Sequence, residues 1–123
     1  MNYIKESHRY IDNAREILSE KAAKEDGFYK DKKYVKMAGH TAYLGVLMAL
    51  DGYFGIKKKG RKDILWYKEE LGKIDKKILS VFDSVYDLLH LSLGYDGNPD
   101  ARVAKIAFEN AERVIDWVAM KSA

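Results

Sequence analysis

A chain of 123 residues with 47% hydrophobic and 33% charged residues can bury one core and stay in solution. It has one Pro and no Cys, which excludes disulfides, thiolate zinc sites and cysteine nucleophiles. A net charge of +3, from 22 cations and 19 anions, is too even to mark a dedicated nucleic-acid binder.

Apolar periodicity is helical almost throughout. The first predicted helix runs from Asn2 to Lys24. Its inner line is Ile4, Ser7, Ile11, Ala14, Leu18 and Lys21, widened by Tyr3, Tyr10 and Ile17. Glu6, Arg9, Asn13, Glu16 and Glu20 fall on the opposite face, and Asp26-Gly27 stops the helix.

The second predicted helix, Lys32 to Phe54, differs in kind. After Lys33 and Lys36 its only formally charged residue is Asp51. Apolar side chains point all round: Met37, Tyr43, Leu44, Val46, Leu47, Met48 and Leu50. Such a helix is expected to be buried by neighbours on several sides. Ala38, Ala42, Gly45, Ala49 and Gly52 form a line of small residues at heptad spacing. That line predicts close, near-antiparallel packing against another helix.

Gly55 to Lys62 is a turn region carrying five cations: Lys57, Lys58, Lys59, Arg61 and Lys62. A short helix follows from Asp63 to Leu71, broken or kinked by Gly72. A longer one runs from Asp75 to Leu93, with Ile78, Phe82, Val85, Leu89 and Ser92 as its inner line. Gly94 followed by Tyr95 reads as a C′ glycine with an apolar C″ residue. Asn98-Pro99-Asp100 reads as N-cap, N1 proline and first-turn acid. The last helix, Pro99 to Lys121, buries Val103, Ala107, Ala111, Val114 and Val118, with Trp117 at its flank. No segment alternates with period two between hairpin turns. The expected fold is all-α: a single-domain antiparallel up-down bundle, residues 1–123, of four long helices and one short one. No apolar run reaches the roughly 18 residues of a spanning helix. The N-terminus MNYIKESHRY lacks a signal-peptide core, so a cytoplasmic protein away from the membrane is expected.

Asp83, Asp87 and His90 share a helix face at spacings of four and three, the closest approach to a metal cluster. Di-iron bundles need Glu-x-x-His from two helices and further carboxylates. The same line here begins with Lys76 and Ser80 and reads as a solvent face. No phosphate loop, nucleophile elbow or H-E-x-x-H occurs. No metal, cofactor or catalytic residue is therefore predicted. His40 and Asp51 are the candidate buried polar groups. His40 is expected as a neutral imidazole bonded to a Tyr, an Asp or a carbonyl. Asp51, one turn from the helix end, is expected to meet water or a partner from the basic loop. His8, among charged residues, is expected to be exposed.

The basic run has two readings. It is a solvated loop relieving the dipole of the preceding helix, or it is a patch that contacts phosphate. Lys30, Lys32 and Lys33 would extend such a patch if the fold brings the two loops together. Tyr29 or Tyr53 would stack on bases, and binding would be salt-sensitive.

The segment YVKMAGHTAYLGVLMALDGYF, the basic loop and the later YDLLHLSLGYDG resemble a small bacterial helical-bundle family of unknown function. More broadly, the pattern is similar to HEPN-type bundles and to the substrate-binding subunits paired with minimal nucleotidyltransferases. Both have a first amphipathic helix followed by an Ala/Gly-rich buried second helix. Ribonuclease members of the HEPN group carry Arg, four to six residues, then His. None of Arg9, Arg15, Arg61, Arg102 and Arg113 has a His in that register, so the resemblance implies a non-catalytic module. The expected function is a non-enzymatic interaction module: a homodimer, a protein partner or a substrate-binding subunit. The other reading is an RNA- or nucleotide-binding protein using Lys57 to Lys62. Tyr10, Tyr67, Tyr86 and Trp117, at the edges of the apolar stripes, are the expected dimer contacts, with Trp117 placing the interface on the last helix.

Overall fold

The computed structural model describes residues 2–55 and 62–122. In chain order these form α1 (Tyr3–Lys21), β1 (Lys24–Glu25), β2 (Phe28–Tyr29), α2 (Lys32–Phe54), α3 (Ile64–Ile74), α4 (Lys76–Val85) and α5 (Ala101–Ser122). α4 runs straight on into a π-helical segment, Tyr86–Tyr95. The fold is an all-α bundle, as the periodicity predicts. Its directions follow from paired residues. Gly45 lies against Tyr10 and Ser7, and Gly52 against Tyr3, so α1 and α2 are antiparallel. Tyr3 hydrogen-bonds Ser122 and Arg15 pairs with Glu112, so α5 also runs against α1. Gly39 meets Leu89 and Gly94, while Tyr43 meets Tyr86 and His90, which sets the π segment against α2.

α1 buries Ser7, Ile11, Ala14 and Leu18, and Ser7 Oγ donates 2.8 Å back to the Tyr3 carbonyl. The helix ends before Lys24 because Ala23 turns left-handed, at φ 57°. Asp26-Gly27 is not simply a stop. Its φ values of 53° and 83° fit a type I′ turn, which closes a two-residue hairpin pairing Lys24 with Tyr29 and Glu25 with Phe28. Strands this short show no alternation, so periodicity misses them. The hairpin then docks on the entrance to α5. Tyr29 N–H donates 2.8 Å to the Pro99 carbonyl, and Ala101 N–H donates 2.9 Å to that of Gly27.

The small-residue seam of α2 packs on α1. A Cβ built on Gly45 would lie 2.9 Å from Tyr10 Cβ and 3.0 Å from the Ser7 carbonyl oxygen. Asp31 caps α2 by accepting from Lys33 N–H, and Asp63 caps α3 by accepting from Trp66 N–H. α3 continues through Gly72 to Ile74 rather than ending at Leu71. Asp75 takes the next cap, accepting from Lys77 and Ile78 N–H, and those bonds hold its carboxyl below the usual carboxylate range.

The π segment changes two expectations. Its hydrogen bonds run i→i+5, so the residues one turn below Leu89 are Leu93 and Gly94 rather than Ser92. Leu93 and Gly94 are buried and Ser92 only half-buried. The helix also overruns Gly94. The left-handed glycine that ends it is Gly97, at φ 65°, with Asn98 N–H reaching back to the Ser92 carbonyl. Asn98 in turn is not the cap of α5. Asp100 is, accepting from Arg102 N–H while its own N–H donates to Asn98 Oδ1. Trp117 is not at the flank. It is 8% exposed, and its indole N–H donates 3.2 Å to Asp75 Oδ2.

Candidate functional site

α2 is covered by α1, by the π segment and by α5, and one face is left with little cover. α1 takes the Gly45 side and the π segment takes the Gly39 side. Met37 and Leu44, seven residues apart and so in line, stay 44% and 53% exposed. His40 lies between them and is exposed, which corrects the expectation of a buried imidazole. The apolar residues run round the whole helix, but no further helix among the described residues covers this face. Gly94 abuts it: a Cβ there would sit 2.9 Å from His40 Cε1. Lys32, Lys33 and Lys36 line the N-terminal end of this face in an open groove of about 610 Å³ with Met37, His40 and Gly94.

His90 is not on a plain solvent face. Its ring lies 4.9 Å from that of Tyr43, 5.1 Å from Tyr86, 5.7 Å from His40 and 6.1 Å from Tyr95. Its Nδ1 is buried without a hydrogen-bond partner. Burial, with His40 beside it, holds its pKa below the ordinary imidazole value, while burial and Tyr86 push the Tyr43 phenol up. Tyr86 and His90, four residues apart, were the available sequence signal for this cluster. Asp83 leaves the supposed acidic line. It pairs with Lys68 at 3.0 Å, a charge contact without an aligned hydrogen bond, and Lys68 also lies over the Tyr86 ring. Asp87 is exposed. Among the described residues, no group of three or more His, Cys, Asp or Glu could hold a metal ion.

Asp51 lies at the other end of the open face. Its Oδ1 accepts 2.6 Å from Tyr67 O–H and 3.1 Å from Lys62 Nζ. Lys62 also lies over the Trp66 ring, 5.4 Å from its centre. Lys62 is the one member of the basic run within the described residues. Lys57, Lys58, Lys59 and Arg61 lie outside them. Lys32 and Lys33 do not stand beside Lys62. They start α2 and Lys62 follows its end, and 23 helical residues span about 34 Å. Lys30 pairs with Glu25 on the hairpin. Tyr53 packs edge-on to Phe54 and Trp117 in the core rather than facing a ligand. Tyr67 is 4% exposed, so neither it nor Trp117 can anchor an interface.

A second groove, of about 910 Å³, runs between α1, the hairpin and α5. Two of its four cations are committed: Arg15 to Glu112 and the Phe108 ring, Arg102 to Asp100. His8 is half-buried on α1, not fully exposed, and stands apart from both grooves' lining. Among the described residues, no helix is long and apolar enough to cross a membrane.

No curated protein is found to match the chain. A solved structure, a protein of unknown function from Dyadobacter fermentans, is similar to it at 60% identity and a TM-score of 0.94. That match covers 97% of this chain and 95% of the other. The model of a domain of unknown function, DUF5618, matches residues 2–120. At that extent of match, the chain belongs to the DUF5618 family.

Proposed function

We propose that this protein is a cytosolic, non-enzymatic interaction module whose docking surface is the outer face of α2 with the adjoining end of the π segment. The observation that carries this is the exposure of Met37 and Leu44, at 44% and 53%, in line on the central helix. Exposed apolar residues scattered singly need no explanation, but a line of them on one helix face marks a contact surface. The similarity to HEPN-type and substrate-binding-subunit bundles agrees, because the Arg–His motif of the ribonucleases is absent from the sequence. Nucleic-acid binding is less favoured. Lys62 is tied to Asp51, and the lysines of α2 stand at its opposite end.

The test is a photo-crosslinking residue at position 44, activated in living cells. A discrete adduct, identified by mass spectrometry, is expected from position 44 and not from position 109 on α5. Absence of any adduct from a folded protein overturns the reading. So does a hydrolytic activity lost in His40→Ala or His90→Ala with the fold intact.

A further inference from the structure

We infer that the occupant of the α2 face is a second copy of this chain, packed antiparallel about a two-fold axis at Leu44. This rests on the reading of that face as a docking surface. The first argument is charge. A helix carries partial positive charge at its N-terminus and partial negative charge at its C-terminus. α2 is charged the wrong way round. Lys32, Lys33 and Lys36 crowd its beginning, no acid lies in its first turn, and no base lies in its last, where Asp51 sits and only Lys62, from beyond the helix, pairs with it. Asp31, its one acidic neighbour, serves as the N-cap. An antiparallel copy reverses each mismatch. Its C-terminal turn lies beside the lysines, and its N-terminal turn lies beside Asp51.

The second argument is register. In an antiparallel pair centred on Leu44, each residue faces the one equally far on the other side of the centre. Leu44 then meets Leu44, His40 meets Met48, and Met37 meets Asp51 of the other copy. Lys33, one turn from Met37 on the same face, comes within reach of that Asp51. Leu47 and Met48 are half-buried and complete the apolar strip. Tyr95, 67% exposed and next to the Gly94 that abuts His40, widens it on the π side. The face is therefore self-complementary in apolar character and charge, as a two-fold interface requires.

The chain has no Cys, which makes the test clean. Only positions near the axis bring two Cα atoms within the roughly 7 Å a disulfide permits. Leu44→Cys is expected to form a covalent dimer on mild oxidation, and Glu109→Cys is not. Sedimentation of the parent protein at micromolar concentration is expected to give twice 14.1 kDa. Leu44→Glu and Met37→Glu are expected to give a monomer of unchanged helicity, since both side chains are exposed within one chain. Lys33→Glu with Lys36→Glu is expected to weaken association at least tenfold. A parent protein at 14.1 kDa at every concentration overturns the inference, as does a dimer that Leu44→Cys fails to cross-link. A monomer that still yields an identified adduct to a different protein from position 44 overturns self-pairing alone. A monomer with no adduct overturns the docking surface as well.

Discussion

Gly39→Ala is a one-carbon test of how closely α2 and the π segment meet. A Cβ at position 39 would lie 2.6 Å from Gly94 N, 2.7 Å from the Leu89 carbonyl oxygen and 2.8 Å from Leu93 Cβ. Residues 89 and 94 are the two ends of one i→i+5 hydrogen bond, so the new methyl would press on the bond that defines the π register. Two of the three neighbours are backbone atoms and cannot rotate away. Ala inside a helix is otherwise better than Gly by about 1 kcal/mol. Overpacking against backbone falls at the upper end of the usual range, about 3 kcal/mol. The net loss is then about 2 kcal/mol, the difference between the overpacking and propensity figures. At about 4 °C per kcal/mol for a domain of this size, the melting temperature drops by about 8 °C. Gly72→Ala is the matched control. Its Cβ would meet only Leu79 Cδ2, at 3.4 Å, so the propensity gain remains and melting should rise by about 4 °C. Thermal melts by circular dichroism read both. If Gly72→Ala rises while Gly39→Ala melts at or above the parent, the close contact between α2 and the π segment is refuted.

Gly45→Leu should be worse than Gly39→Ala, losing about 3 kcal/mol or more in urea titrations, because Tyr10 Cβ and the Ser7 carbonyl already occupy the space. Equal stability of mutant and parent would remove the α1–α2 seam. Tyr67→Phe should cost about 1 kcal/mol with an unchanged denaturant slope, since it removes the 2.6 Å bond to Asp51 and little packing. Acidification should destabilise the protein through His90. The unfolded chain takes up a proton near pH 6.5, the folded His90 only at lower pH. Between the two values the unfolded state holds more protons, so the His90 contribution is complete above about pH 6.5 and is lost as pH falls through the folded value. Melting curves from pH 7.5 to 5 should therefore fall less steeply for His90→Gln than for the parent, and identical slopes would contradict the burial of that ring.

The helices were legible because their inner lines keep a helical period over many residues. Ser7, Ile11, Ala14 and Leu18 are buried as their spacing requires. What escaped was decided by contacts between distant segments or by a change of period. The Asp26-Gly27 turn became a hairpin because Phe28 and Tyr29 could pair with the chain at Pro99 to Asp100. The same docking moved the α5 cap from Asn98 to Asp100, two residues that are equally good caps in isolation. Gly94 looked like a terminator because an α-helical count placed it after the last inner residue. The π register absorbed it, used its missing side chain to admit His40, and left Gly97 to end the helix. Trp117 looked peripheral by angle alone, yet Asp75 at the α3–α4 junction turns toward it and accepts its N–H.

The site posed a different difficulty. Apolar residues all round a helix state how much cover the helix needs, not who provides it. α2 receives α1 on its glycine side and the π segment on the side of Gly39 and Tyr43. α5 packs on it as well, and the face that is left carries Met37, His40 and Leu44 into solvent. Had that face been polar, the bundle would be complete as one chain, and the lysines at the start of α2 would be a local cost that only the Asp31 cap offsets. Apolar exposure and reversed charge on one face have a common resolution in an antiparallel neighbour, whereas a partner that offers only an apolar groove resolves the exposure and leaves the charge. The two features can be separated experimentally. Lys33→Glu with Lys36→Glu corrects the helix's own dipole, so it should raise the stability of an isolated monomer while weakening the pair. A variant that gains monomer stability and keeps full association would show that charge plays no part in the contact.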